Sequence, residues 1–146
     1  MIPVNEKAPV IAEKFVLIDA SPEKVWNLIA DINKWPEWNP DIKKTEISGD
    51  LSPGTVFIWH NGGTKIRSTL HTVQPHETFG WSGKAFGAYA IHNWKVSELN
   101  GKTEVWVKES MEGTLMKIFR GFMQNTLESG ITNWLLYLKE EAEKNE

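Results

Sequence analysis

Six predicted strands follow one another between residues 41 and 112, and this region constrains the fold more than any other. Short turn signals rich in Gly, Pro and Asn separate them, at residues 48–50, 52–54, 61–63, 74–76, 86–87 and 100–101. Parallel strands need crossover connections of about a dozen or more residues, usually helical, and this spacing leaves no room for them. The region therefore predicts an antiparallel sheet.

One more strand and two short helices are predicted before this region. Residues 9–18 are rich in β-branched and aromatic side chains, which is typical of a strand. Ser21 and Pro22 then form a helix start, with Ser as the N-cap and Pro at the first helical position. The apolar face of this helix consists of Val25, Leu28, Ile29 and Ile32. Two prolines within residues 35–40 limit the next segment to a single turn or a short second helix.

The last element is predicted to be one long helix over residues 113–144. At a rise of about 1.5 Å per residue it would measure roughly 45 Å, long enough to lie across a sheet. Its apolar stripe consists of Leu115, Phe119, Phe122, Met123, Leu127, Ile131, Trp134, Leu135, Leu138 and Ala142. Gly121 and Gly130 destabilise a helix interior, so we expect each to mark a bend or a close approach to the sheet. The whole pattern predicts an α+β fold in which a curved sheet of seven strands wraps round this helix.

The Asn100-Gly101 turn fixes the register of the last hairpin. Asn-Gly favours a type I′ turn, because both central positions require positive φ. In this register Ala90, His92, Trp94 and Val96 face Met111, Glu109, Val107 and Val105. The set is apolar apart from His92 and Glu109, which predicts that it faces the core. A histidine is thus placed opposite a carboxylate on an inner, largely apolar surface.

The His92–Glu109 pair has two interpretations. Burying either group alone would be costly, and a facing partner lowers that cost. In the first interpretation the pair is a general acid/base, or a hydrogen-bonding anchor for a ligand, at the wall of an internal pocket. In the second, the two side chains are hydrogen-bond partners of each other near the end of the sheet, and they fix the strand register without touching a ligand.

The preceding hairpin supplies further inner residues. With Gly62-Gly63 as its turn, Trp59 faces Ile66. Phe57 then faces Ser68 on the same side, whereas a turn at Asn61-Gly62 would shift this pairing. Polar alternation favours an inner face that consists of Ile66, Ser68, Leu70 and Thr72. The two hydroxyl residues of this set either orient a ligand or bond to the backbone.

Composition excludes several classes of protein. The chain has 146 residues, which suits a single domain over residues 1–146, and it carries a formal net charge of −3. The absence of Cys excludes disulfides, Cys-ligated zinc, iron–sulfur clusters and thiol chemistry. Basic residues are scattered among acidic ones, which argues against binding of nucleic acid. The sequence shows no metal or cofactor motif, so we expect neither a metal nor a cofactor.

The same composition bears on localisation. No apolar run approaches the roughly 20 residues of a membrane span. The first residues lack a signal-peptide pattern, from which we expect a cytoplasmic protein, either a monomer or a homodimer.

The chain has eight Trp, more than an ordinary core of this size would use. The registers assign Trp94 and Trp59 to the concave face, and Trp106 to the outside beside Lys95. We therefore expect the excess of rings to form the lining and lid of a cavity.

Several segments occur together in an order that resembles a known family. They are residues 20–26, 35–40, 92–94, 101–103 and 138–143, with Gly54, Glu109 and Gly113. In these the chain resembles the START-like (SRPBCC) superfamily, and within it the polyketide cyclase/dehydrase and lipid-transport family. The resemblance implies a helix-grip fold, in which a seven-stranded antiparallel sheet grips a long C-terminal helix over a mainly apolar cavity. It also implies that His92 and Glu109 are the family's pocket-facing His and Glu, and assigns Trp26, Trp35 and Trp38 to its short helices.

Three functions are compatible with this fold, because the scaffold by itself selects none. The first is binding of a small hydrophobic molecule, a lipid or a polyketide, between sheet and helix. Its expected ligand-binding residues are Phe57, Trp59, Ile66, Ser68, Leu70, Trp81, Trp94, Val107, Phe119, Phe122 and Met123. The second is a cyclase or dehydratase in which His92, tuned by Glu109, moves a proton. The third is a chaperone-binding or stress-response module that uses its surface, against which the lack of an evident exposed apolar patch argues.

Overall fold

A computed structural model describes residues 1–144 of the chain. Seven strands form one antiparallel sheet in the order β1-β7-β6-β5-β4-β3-β2. They are β1 Val10–Ile18, β2 Ile42–Ile47, β3 Val56–Asn61, β4 Thr64–Gln74, β5 Thr78–Ala85, β6 Ala88–Leu99 and β7 Lys102–Glu112. The helices are α1 Pro22–Ala30, α2 Trp35–Trp38, α3 Thr114–Ile118 and α4 Arg120–Ala142, with a 3₁₀ turn Ile32–Lys34 before α2. The antiparallel sheet predicted from the short turns is confirmed.

Both predicted hairpin registers are confirmed. Asn100 and Gly101 have φ of 51° and 81°, as a type I′ turn requires, and His92 pairs with Glu109. In the other hairpin Trp59 pairs with Ile66, which places the turn at Gly62-Gly63. Since side chains alternate across a strand, these two registers decide which residues face the concave side of the sheet.

The predicted long helix is divided in two at Phe119, whose φ of −105° and ψ of 36° are not helical. The buried part of its stripe consists of Leu127, Ile131, Trp134, Leu135, Leu138 and Ala142. Upstream of it Phe119 and Phe122 are exposed, so the break falls where these apolar side chains no longer pack against the sheet. Neither Gly121 nor Gly130 lies at the break, and a Cβ on either would meet no atom within 4 Å, so the expected bend or close approach at these glycines is wrong.

The two short helices cover one end of the concave face. Trp35 of α2 is almost fully buried and meets Phe57 edge to face, with ring centroids 5.7 Å apart. Its Nε1 donates a hydrogen bond to the carbonyl of Ile29 at 2.9 Å. Trp26 of α1 packs in the same way on Phe79, with centroids 5.6 Å apart. These Trp residues therefore fill the core at one end of the sheet instead of forming a lid, and the other end remains available for a cavity.

Candidate functional site

A cavity of about 430 Å³ lies between the uncovered end of the sheet and the first half of α4, a size within the ordinary range for small-molecule sites. The sheet wall comes from the strand ends that meet at the β3–β4 and β5–β6 turns, and includes Ile66 and Trp81. The helical wall includes Met116 of α3, and Met123 and Ile131 of α4. Most lining side chains are apolar, which suits a hydrophobic occupant.

His92, which is buried, and Glu109, which is partly buried, form a polar pair in the wall of this cavity. They lie on adjacent strands, β6 and β7, and Nδ1 of His92 contacts Oε1 of Glu109. An ionised carboxylate can only accept, so with such a carboxylate Nδ1 is the donor of this hydrogen bond. Only 2% of His92 is exposed. The pair thus supplies an oriented imidazole in surroundings from which water is largely excluded.

The imidazole of His92 is held in place by an aromatic ring. It stacks on Trp81 with ring centroids 4.3 Å apart and planes only 5° from parallel. Its second nitrogen, Nε2, is buried and has no hydrogen-bond partner among residues 1–144. In a neutral imidazole that carries its proton on Nδ1, Nε2 has a free lone pair and can act as an acceptor or a base, whereas in the imidazolium Nε2 is a donor.

Ser68 is a second buried polar group in the cavity wall. Its Oγ accepts a hydrogen bond from Nε1 of Trp59 at 3.0 Å. Gly83 on the neighbouring strand leaves room for this bond, because a Cβ there would lie 2.9 Å from the Ser68 oxygen. The hydroxyl hydrogen of Ser68 has no partner in this bond and is free to donate.

The structure brings together part of the predicted site. The predicted residues that line the cavity are His92, Glu109, Trp59, Ile66, Ser68, Trp81, Phe119 and Met123. Those that do not line it are Phe57, Leu70, Trp94, Val107 and Phe122.

Their absence from the wall has two physical reasons. Phe57, Leu70, Trp94 and Val107 face the concave side but are buried at the end that α1 and α2 cover. Alternation along a strand identifies the inner face and gives no information on which end a helix covers. Phe122 lies one helical position before Met123 and points outward, with 70% of its surface exposed.

Several residues that line the cavity were not among the predicted site residues. Small residues on β5 and β6 face one another across the cavity wall, with Gly83 paired to Ala90 and Ala85 paired to Ala88. Inner positions of a sheet usually carry large apolar side chains, so this cluster of small ones was the available signal that space lies above them. Lys84, Thr126 and Gly130 also line the cavity, and no sequence pattern indicated their role.

His71 is a titratable group outside the cavity. Burial lowers its pKa, and the positive charge of the amino terminus adds to this effect. A hydrogen bond with Asn93 opposes the shift. Among residues 1–144 no group of three or more His, Cys, Asp or Glu side chains could hold a metal ion.

The family model described as "Polyketide cyclase / dehydrase and lipid transport" matches residues 9–143. The chain belongs to this family. The comparison with curated protein sequences found no match.

Solved structures support the fold of this family member. A hypothetical protein from Helicobacter pylori is similar, with a TM-score of 0.84, 16% identity and 97% of each chain covered. The Zhui aromatase/cyclase from Streptomyces has a TM-score of 0.80 and 17% identity, over 91% of this chain and 93% of the other. A START superfamily protein from Mycobacterium smegmatis has a TM-score of 0.78 and 14% identity, over 91% and 97%. At such identities the likeness concerns the fold alone, and it confirms the START-like helix-grip architecture.

No helix within residues 1–144 is both long enough and apolar enough to cross a membrane.

Proposed function

We propose that this protein binds a small hydrophobic molecule, a lipid or a polyketide-like compound, in the cavity between the sheet and α4. The observation that carries the proposal is the cavity of about 430 Å³ with its mainly apolar wall. A folded protein normally fills such space with side chains, because unfilled apolar volume costs stability. Membership of a family described by cyclisation, dehydration and lipid transport supports the same class of ligand.

The lining indicates the shape of the ligand. Trp59, Trp81 and Trp134 offer flat aromatic surfaces, while Met116 and Met123 offer flexible thioethers that adapt to irregular shapes. The polar groups of His92, Glu109 and Ser68 in the wall are few, as in sites where polar contacts orient a mostly apolar ligand. We therefore expect a ligand with an apolar body and one hydroxyl or carbonyl group.

A test of this proposal is to obstruct the cavity with Gly130→Phe and to measure binding of an apolar fluorescent dye. Gly130 borders the cavity, and a Cβ there meets no atom within 4 Å, so the helix can carry the larger side chain. We expect dye affinity to fall at least about tenfold, which corresponds to about 1.4 kcal/mol. Quenching of tryptophan fluorescence by the dye should weaken in parallel, since three Trp residues line the cavity.

Gly121→Phe is the matched control. Gly121 also lies in α4 with open space round its Cβ, but it does not line the cavity. Gly130→Phe replaces a helix-interior glycine and Gly121→Phe a glycine in the first turn of α4, so both should leave the fold intact or slightly more stable. Dye binding that is equal in the two variants would contradict the proposal.

A cyclase or dehydratase activity is the second candidate, and the contact between His92 and Glu109 in the cavity wall favours it. In this reaction Nε2 of His92 would remove a proton from a bound poly-β-ketone while the cavity holds the chain in one folded conformer. The test is His92→Phe, which keeps a ring beside Trp81 and removes the base. Product profiles of a reactive linear poly-β-ketone, measured by mass spectrometry, should revert to the spontaneous mixture. A profile identical to that of the unmodified protein would exclude proton transfer by His92.

A further inference from the structure

Large apolar side chains are exposed where the cavity opens to solvent. They belong to the β5–β6 turn and to the corner between α3 and α4, and we call them the mouth patch: Phe86, Leu115, Ile118, Phe119 and Phe122. Three of them, Phe86, Leu115 and Phe119, also line the cavity, so the patch surrounds its opening. A cluster of this kind is unusual on a protein surface and is typical of a site of interaction, so the expectation that no apolar patch is exposed is wrong.

Phe86 is held outward by an unusual backbone conformation. It occupies the first position of the two-residue β5–β6 turn with a φ of 48°, followed by Gly87 at 74°. Bulky side chains rarely adopt this left-handed region, whereas Asn, found at the equivalent place in the β6–β7 turn, adopts it readily. Packing does not account for the aromatic residue, because 77% of its surface is exposed. The ring therefore costs conformational energy and presents an apolar surface to solvent.

Cationic side chains alternate with the apolar ones. Lys84 lies two residues before Phe86, while Lys117 and Arg120 flank Ile118 and Phe119, and all three cations are exposed. Two acids lie nearby, Glu109 in contact with His92 and Glu112 accepting a hydrogen bond from Asn5, so the three cations outnumber them.

Most acidic residues of α4 and its C-cap lie toward the other end of the helix. Glu140, Glu141 and Glu143 follow Arg120 by some twenty residues, which is roughly 30 Å of helix. Glu128 lies nearer to Arg120, and its carboxylate pairs with Lys14 at 3.5 Å. The mouth is thus locally positive in a chain of net charge −3.

We propose that the mouth patch docks on the surface of an anionic lipid bilayer. Its apolar side chains enter the interface and its cations meet the lipid headgroups, so that the cavity opens directly toward hydrocarbon. A second copy of the chain is a poorer occupant, because a two-fold contact through this patch would bring the same cations face to face. Docking extends the function proposed above by giving an apolar ligand a route that avoids water, yet it requires no bound ligand.

The test is co-sedimentation of the full chain with phosphatidylcholine vesicles, with and without phosphatidylglycerol. We expect binding only when phosphatidylglycerol is present, and weaker binding as salt is raised. Phe122→Gln and Ile118→Gln remove exposed side chains that do not line the cavity, and each should lower vesicle affinity at least about fivefold. Lys117→Glu reverses a charge and should lower it about tenfold or more.

Two matched controls lie away from the mouth. Leu136→Gln removes an exposed leucine of the same helix, roughly 20 Å along its axis from Phe122. Lys102→Glu reverses a charge at the first residue of β7, next to the β6–β7 turn and at the opposite end of β6 from Phe86. Both should leave vesicle binding unchanged.

The outcomes separate docking from the proposed cavity function. Absence of binding to phosphatidylglycerol vesicles, or equal losses in the mouth and control variants, would overturn docking. So would a dimer in solution that Phe122→Gln dissociates, because the patch would then be an interface between two copies. Dye binding, measured on the same proteins without vesicles, tests the cavity alone, so either proposal can fail while the other stands.

Discussion

Ser68 is the hydrogen-bond acceptor for a buried neighbour, Trp59. It lies fully buried in the cavity wall and satisfies the indole N–H of Trp59. Ser68→Ala would leave this buried donor without a partner, so we expect a loss of about 1–3 kcal/mol in the free energy of unfolding. Urea denaturation measures the change.

A double-mutant cycle isolates the hydrogen bond in this prediction. In a Trp59→Phe background the donor is absent, so Ser68→Ala should cost about 1 kcal/mol less than in the unmodified chain. Equal costs in the two backgrounds would show that the bond between Trp59 and Ser68 does not contribute to stability.

The pairing of His92 with Glu109 was predicted from the sequence. The Asn-Gly turn fixed the register, the register paired the two strands, and the structure shows the pair in contact. The stacking of His92 on Trp81 depends on the pairing of β5 with β6. Residues 86–87 were recognised as a turn signal, but no register was derived from them, so this contact was not predicted.

Gly113 connects the sheet to the helices, and among the connections between elements it is the residue that tolerates substitution least. Its φ is 133°, and a Cβ there would lie 2.9 Å from the carbonyl oxygen of Gly87 in the β5–β6 turn. The β7–α3 connection therefore passes so close to that turn that only glycine fits.

Gly113→Ala should lower the free energy of unfolding by at least about 2 kcal/mol, since it combines backbone strain with a clash against main-chain atoms. Thermal or urea denaturation measures the loss. Gly63→Ala serves as the comparison, because a Cβ there meets no atom within 4 Å and φ is not positive. Similar stabilities for the two variants would show that the β7–α3 connection can move away from the turn.

The predicted long helix is divided into α3 and α4. The apolar repeat continues through Phe119 and Phe122, and this continuity predicts a single helix. In the structure the buried stripe of α4 begins near Leu127. The upstream turns bend at Phe119, with Met116 buried but Phe119 and Phe122 exposed. Periodicity reports the preference of a segment and does not report how far its partner surface extends.

At the scale of the whole molecule, α4 joins the sheet, the short helices and the cavity. Leu138 lies on its buried stripe with 0% exposure, whereas Leu136 on the same helix is 53% exposed. Leu138→Ala should cost about 2–5 kcal/mol in the free energy of unfolding, because it removes buried contacts and leaves a void.

Leu136→Ala is the control for this prediction and should change stability by less than about 0.5 kcal/mol. Both variants keep a strong helix-forming residue, so a difference between them measures packing of the helix on the sheet. Comparable losses in urea denaturation would contradict the assignment of the buried stripe.

The sequence by itself determined the strands, their antiparallel arrangement, two hairpin registers and the faces of the strands, because turn chemistry and alternation act over a few residues. Only the tertiary structure decided that α1 and α2 cover the end of the sheet near Phe57 and Trp94, and that the cavity lies at the end near Gly83 and Ala90. Both ends of the sheet have a concave inner face. Packing between elements that are far apart in the chain decides which end stays open. The same long-range packing stops short of Phe122, and the mouth patch is the surface that it leaves uncovered.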